Sequence, residues 1–436
     1  MGEVSHARVR NAAGALLKRS SLTSSEPTDT LQRVNYDAIV LGAGPAGLGA
    51  ALALARDGQH VALLEAGSDV GGLCRTLRHG DLGYDLGGHI LFVHDQARKR
   101  WLNDLLGDDA IWVDRPVMCV RDGVLARGRY LDQRPDDAAP NGADGPSAQA
   151  FLAGALGAPY VDRVIRRYLE KVDGMPLERI PAARARKLML EQSAPEGFWY
   201  AADGIGQLMD AMATEIARHG GAVHLNARVE RIQTAAGRVT GIEARSPTGR
   251  IVLSSSRIIA GLPPQIVAGF VDPPPPVGVI PTLAPRAAAL VYLLMDKPRL
   301  TDEPWLQIDD PTVPFARMFE VKNWSPRLVP DGRTVIGCEC YCTPSGDDPA
   351  WGLTDAALSR ACAQALAGAL NLIDDPGLVR PLQVVRLPRA WSLVDVDRLD
   401  EAAAPARWLS GIDGLTVAQG GDVILAVAAG EQAAMA

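Results

Sequence analysis

Gly42, Gly44 and Gly47 stand as G-x-G-x-x-G between an apolar run, "DAIVLG" (37–42), and a helical pattern that opens at Pro45 and Ala46. In such a turn the first glycine permits the tight bend and the second lets backbone approach a pyrophosphate. The third lets helix and strand pack closely, and the helix N-terminus aims its free amides at the phosphates. Glu65, followed by Ala66, ends the next apolar run, "HVALLEA" (60–66). A carboxylate at that place can hydrogen-bond ribose hydroxyls. Strand, turn, helix and acid make one βαβ unit, and its chemistry is the binding of a dinucleotide.

Two further stretches follow closely. "DVGGLCRT" (69–76) carries a glycine doublet, Gly71-Gly72. "YDLGGHILF" (84–92) carries a second, Gly87-Gly88, with His89 directly after it. Glycine inside a strand is costly unless backbone or ligand must come close there. His89 is one of seven histidines and the one that sits in such a motif. Its neutral imidazole is able to accept a proton near physiological pH, or to pack edge-on and hydrogen-bond the backbone.

Together these stretches resemble the FAD-dependent amine oxidase and protoporphyrinogen oxidase superfamily. Within it they look most like UDP-galactopyranose mutase-like flavoproteins, which carry G-A-G-x-x-G-L-G-A-A, G-G-L and Y-D-x-G-G-H-x-x-F. The resemblance implies FAD as cofactor. It implies that Gly71, Gly72, Leu73, Arg75 and Thr76 pass the pyrophosphate, and that Gly87, Gly88 and His89 pass the flavin ring. It also implies that Val229 in "NARVERI" meets the adenine, and that Gly421-Asp422 meets the ribityl and phosphate region. "PWLQIDDPTVPFARMFEVKNWSP" (304–326) resembles the mutase strand pair. Trp305 and Arg317 fall there on substrate-binding positions, and a guanidinium is a natural fork for a carboxylate or phosphate. An ordinary strand salt bridge is the other reading of Arg317. Trp199 and Tyr200 are read as cavity walls or as ordinary core aromatics.

Two departures stand beside this. In "YLEKVDGMP" (168–176) Asp173 replaces the family's aromatic. Mutases need a first arginine after this helical segment, and Arg184, Arg186 and Lys187 lie nearby without aligning. The C-terminal "DGLTVAQGGDVILAVAAGEQAA" has neither the tyrosine nor the arginine of a mutase. The resemblance therefore implies an FAD-dependent oxidoreductase that oxidises a small polar substrate, sugar- or nucleotide-linked, by hydride transfer to flavin N5. His89 and Arg317 are its candidate catalytic residues. A mutase-type isomerase using reduced FAD is the alternative, and a non-catalytic flavin scaffold is the third reading.

The elements needed to position these residues are legible in outline. The chain has 436 residues, 47% hydrophobic and 22% charged, an ordinary globular composition too long for one core. The expected fold class is α/β, a Rossmann-type FAD-binding domain with a discontinuous α+β substrate domain. The expected FAD domain spans 34–100, 203–270 and 391–436, and the substrate domain 101–202 and 281–390. Residues 1–33 read as a disordered extension, and 135–148 as a loop. The net charge of −7 argues against a nucleic-acid partner. No apolar run is long enough to span a membrane; the expected partner is a small molecule, and the low cysteine use fits an expected cytoplasmic location. Of the six cysteines, Cys338, Cys340 and Cys342 alternate on one strand face and read as buried thiols rather than metal ligands. No metal is expected.

Overall fold

The computed structural model describes residues 34–93, 95–114, 118–121, 124–127, 145–191, 197–420 and 422–436. The expected extension over 1–33, most of the expected loop 135–148, and Gly421 lie outside the described residues.

Five short parallel strands form the central sheet, in the order Ala222–His224, Val61–Leu64, Ala38–Leu41, Ile258–Ala260, Leu415–Val417. Every residue of Ala38–Leu41 and of Val61–Leu64 is buried, as a parallel sheet covered on both faces requires. The strand period of two divides them between two cores. Ala38 and Val40 join the core under the helices. Ile39 and Leu41 join the core under an antiparallel ribbon, Arg228–Ala235, Arg238–Ser246 and Gly249–Ser254.

On the helical face, helix Pro45–Arg56 crosses the C-terminal helix Val423–Met435 at two glycines. A Cβ at Gly49 would strike the Val427 carbonyl, and one at Gly430 would strike the Ala46 carbonyl. The backbones touch, which draws the N-terminal turn of the last helix up to the dinucleotide turn.

A seven-stranded sheet forms the second layer of the molecule, in the order Val379–Ser392, Pro285–Met295, Thr334–Cys342, Arg317–Glu320, Trp305–Ile308, Met118–Arg121, Val124–Arg127. Alternation again assigns its faces. Ala288, Leu290, Tyr292 and Leu294 face the dinucleotide-binding half. Ala287, Ala289, Val291 and Leu293 join the three cysteines beneath helix Asp355–Ala367. All six cysteines are buried thiols, with Cys340 Sγ 3.9 Å from Cys362 Sγ. Helix Arg166–Asp173 packs beside this sheet, and its Lys171 ammonium donates to the carbonyls of Ile308, Asp310 and Phe315. That clamp fixes the hairpin that carries Trp305 and Arg317. Among the described residues no helix is long and apolar enough to cross a membrane.

Candidate active site

The three glycines of the first motif have three separate causes. Gly42 has φ +86°, a backbone state that favours glycine. A Cβ at Gly47 would overlap the Gly42 carbonyl oxygen. A Cβ at Gly44 would meet nothing within 4 Å. Helix Pro45–Arg56 begins at Gly44 without a capping side chain, which leaves first-turn amides for a ligand. Gly44, Pro45 and Ala46 line a cleft of about 500 Å³, with Gly261–Pro263 and 418–420 as its other walls.

The first doublet lies against this turn. Gly71 (φ +105°) donates its N–H to the Ala43 carbonyl at 2.7 Å, and a Cβ on Gly72 would lie 3.4 Å from Gly44 Cα. Glu65 accepts the N–H of Ala43 at 2.9 Å and of Gly67 at 2.7 Å. A carboxylate offers about four acceptor directions, so capacity remains for a hydroxyl. Ala66 is exposed beside it, and the turn before Val229 runs alongside, with the Asn226 and Ala227 amides bonded to the Gly67 and Glu65 carbonyls. Arg75 donates to the Gly72 carbonyl at 2.8 Å.

A second cavity, of about 620 Å³, opens between the two sheets and meets the first cleft at Gly420. Its walls bring together Leu73, the Gly87–His89 loop, Trp305, Arg317 and Asp422. Asp422 caps the last helix, accepting the Leu425 N–H at 2.8 Å. His89 Nδ1 lies 3.1 Å from the Gly87 carbonyl. A carbonyl only accepts, so Nδ1 carries the proton and Nε2 is left as an acceptor. Burial pushes the imidazole below its usual range, against an opposing pull from Glu339 and from the Gly87 bond.

Arg317 is held on several sides. Its Nε donates to the Tyr168 hydroxyl at 3.0 Å, and its Nη1 lies 3.8 Å from Glu339 Oε2. Its guanidinium lies over the Trp305 ring at 5.2 Å and the Tyr341 ring at 5.5 Å. This is a rigid, desolvated cation rather than a surface ion pair.

Several sequence expectations need correction. Tyr200 does not reach the cavity. It is fully buried and donates to Asp85, which also accepts from the Thr76 hydroxyl at 2.7 Å and the Ile205 N–H at 3.1 Å. Thr76 is thereby committed to protein, its hydroxyl also accepting the Gly206 N–H at 2.9 Å. Trp199 packs on Trp112 instead of the cavity. At the second doublet Gly87 has φ +86°, and a Cβ on Gly88 would lie 3.3 Å from Trp324 and 3.5 Å from Glu339 Oε1. The backbone of Gly87 favours glycine and Gly88 lies close to protein side chains, while both line the cavity as the sequence reading expects of a loop that passes a ligand.

Two residues of the cavity, Tyr341 and Trp391, escaped the sequence reading, and two others, Glu339 and Arg184, were visible there only as a weaker acid–base candidate and as an arginine without alignment. Glu339 and Tyr341 lie on the strand face opposite the cysteines, and the alternation of "CECYC" was the signal that marks them. Arg184 reaches the same cavity as Arg317, its Nε 3.1 Å from Asp173 Oδ1 and its guanidinium 5.8 Å from the Trp391 ring. The acid that replaces the expected aromatic is therefore the partner of the arginine that did not align. Trp391, which packs edge-on against Tyr341 at 5.2 Å, had no signal.

The donor set fits FAD. An open cradle at Gly44, a helix N-terminus without a capping side chain and two cavities joined at Gly420 suit a pyrophosphate with a group at each end. Comparison with known proteins agrees. Residues 40–105 match an NAD(P)-binding Rossmann-like domain. Residues 125–396, more than half of the chain, match the flavin containing amine oxidoreductase family. The fold resembles that of reduced UDP-galactopyranose mutase (TM-score 0.70, 18% identity, 92% of this chain and 94% of that one). It also resembles a putative protoporphyrinogen oxidase from Exiguobacterium sp. 255-15 (0.67, 18%, 93% and 99%) and putrescine oxidase bound to putrescine (0.66, 20%, 92% and 99%). Curated relatives match only locally. A soluble pyridine nucleotide transhydrogenase of Marinomonas sp. (strain MWYL1) is 56% identical over 43 residues, 10% of this chain and 9% of that protein. An inactive all-trans-retinol 13,14-reductase of Danio rerio is 33% identical over 95 residues, 22% and 16%. The chain thus spans less than a fifth of the length of these relatives. By its fold and by the match over 125–396, the chain belongs to the flavin-containing amine oxidoreductase family, whose cofactor is FAD.

Proposed function

We propose that this chain is an FAD-dependent oxidoreductase that oxidises a small polar substrate in the cavity between its two sheets. One observation carries the reading: the Gly87–His89 loop and Arg317 wall the same 620 Å³ space. The dinucleotide turn, Glu65, the two doublets, Val229 and Asp422 hold the cofactor. Gly421, Arg75 and Ala66 belong to that set by resemblance alone. The FAD-binding part is 34–100, 203–270 and 391–436, and the substrate part is 101–202 and 281–390.

When bound, FAD supplies a two-electron acceptor, taking hydride at N5 of its ring. The chain's own residues do the rest. Arg317, fixed by Tyr168 and Glu339, forks onto an oxygen-rich group of the substrate and orients its reacting carbon. His89, neutral and with Nε2 unprotonated, accepts the proton that the substrate hydroxyl or amine releases as its C–H bond is broken. Trp305, Tyr341 and Trp391 keep water from that centre.

A second reading is favoured by the presence of Arg184 in the same cavity: a mutase-type isomerisation of a nucleotide sugar, in which both arginines grip a pyrophosphate. One preparation separates the two. Oxidised and chemically reduced holoprotein are mixed without oxygen with a panel of amines, amino acids, sugar acids and UDP-galactopyranose. Bleaching of the oxidised flavin's visible absorbance by one compound supports the oxidoreductase. A ring-contracted product formed by the reduced protein alone overturns it in favour of the mutase.

A further inference from the structure

We propose that Glu339 is a positioning residue that binds the glycine-doublet loop and the substrate-facing arginine into one unit. Strand alternation turns Glu339 and Tyr341 into the cavity while Cys338, Cys340 and Cys342 face the opposite core. The Glu339 side chain is only 5% exposed. Its Oε1 accepts the Gly88 N–H at 2.7 Å, and its Oε2 accepts the Tyr341 hydroxyl. The same Oε2 lies 3.8 Å from Arg317 Nη1. One carboxylate therefore touches the loop on one side and the arginine and its aromatic wall on the other.

The neighbouring strand supplies a parallel support that Glu339 does not duplicate. Leu290 pairs with Glu339, and two residues further along the same strand Tyr292 accepts the Gly87 N–H at 3.1 Å while donating to the Asp85 carbonyl at 2.6 Å. Tyr292 holds Gly87 without touching Arg317. Glu339 holds Gly88 and answers the arginine's charge. A buried carboxylate bonded to a backbone amide is a charge-assisted contact, and removing its charge weakens the hold on the amide and leaves the guanidinium without its counter-charge. A change at Arg317 should then be felt at the loop beside the cofactor.

The inference rests on the proposed placement of FAD and of the substrate at Arg317, and the test separates them. Apoprotein is titrated with FAD, followed by flavin fluorescence and the visible band, for wild type, Glu339→Gln, Arg317→Met and the double variant. Glu339→Gln is expected to bind FAD about tenfold more weakly with a shifted band. Arg317→Met is expected to weaken FAD several-fold. The double variant should lose less than the product of the single losses, by about threefold or more. Binding of FAD by Glu339→Gln within twofold of wild type, or losses that multiply, would overturn the proposal. If Glu339→Gln does not fold, Arg317→Met decides alone: weakened FAD binding upholds the coupling and unchanged binding overturns it. The amines, amino acids and sugar acids of the panel are then added without oxygen to wild-type and Arg317→Met holoprotein. Equal flavin bleaching in the two, together with non-multiplying losses, upholds Glu339 and overturns the substrate role of Arg317.

Discussion

Gly44 and Gly47 stand three residues apart in one motif, yet replacing each with alanine should do opposite things. At Gly44 the backbone has φ −75° and ψ 178°, a conformation alanine adopts freely, and its Cβ would meet nothing within 4 Å. Loss of glycine at a helix N-cap costs up to about 1 kcal/mol, and the stiffer unfolded chain returns about 0.4–1 kcal/mol. Gly44→Ala should therefore melt close to wild type as apoprotein. Its methyl, however, stands in the open cradle where the pyrophosphate must approach. Two charge-assisted amide contacts at about 1.5–3 kcal/mol each amount to roughly a hundredfold to ten-thousandfold in affinity. At Gly47 the Cβ would overlap a backbone carbonyl, which no rotamer relieves, so Gly47→Ala should destabilise the apoprotein itself by about 1–3 kcal/mol or more. Thermal unfolding of apoprotein and fluorescence titration with FAD read the two quantities separately. If Gly44→Ala binds FAD within threefold of wild type, the cradle does not hold the cofactor and the placement argued above is wrong.

Burial pushes the Asp85 carboxyl up to about 6, against hydrogen bonds from Tyr200, Thr76 and the Ile205 amide. The folded state thus holds the proton more tightly than an unfolded chain with its value of 3.8, and stability from this group is full below that value and falls as pH rises towards 6. Two pH units at 1.36 kcal/mol each are about 3 kcal/mol, so urea unfolding of wild type relative to Asp85→Asn should show a loss approaching that size, and parallel profiles would refute it. His89 has the opposite sign: its folded value lies below the 6.5 of a free imidazole, so stability is complete above 6.5 and falls as pH drops beneath it. His89→Gln should flatten that acid limb while retaining FAD. Turnover that survives in this variant would make His89 a positioning residue, and lost turnover with flavin intact would make it the base.

What the sequence made legible follows from how local each cause is. The βαβ unit is a run of adjacent residues, and all three glycines of its turn have reasons inside that run or in the cleft it opens. The second doublet is different. Gly88 has Trp324 and Glu339 close to it, residues more than 230 positions away, and no reading of "YDLGGHILF" contains them. Tyr200 illustrates the converse. It lies beside a glycine-rich helix start, as cavity residues often do, but the demand of a buried Asp85 for a donor turns it inward. Arg184 and Asp173 stand as two separate departures in the sequence, and only the fold shows that they are partners.

The pairing of the arginines bears on the proposed substrate. Arg184 faces Asp173 and Arg317 faces Glu339, and both acids are nearly fully buried. The cavity is therefore not a bare cationic hole of the kind that captures any polyanion. A lone anion arriving there competes with a carboxylate already in place, and taking charges out of water offsets most of the Coulombic gain. Net affinity has to come from a ligand that engages acceptors and donors at once, its oxygen-rich group on a guanidinium and its hydroxyl or amine hydrogens on Glu339, Asp422 or His89 Nε2. That requirement favours a small molecule with polar groups of both kinds over a simple phosphate. On the proposed reading, the group that loses its proton meets the Gly87–His89 loop, which lines the same cavity as both arginines.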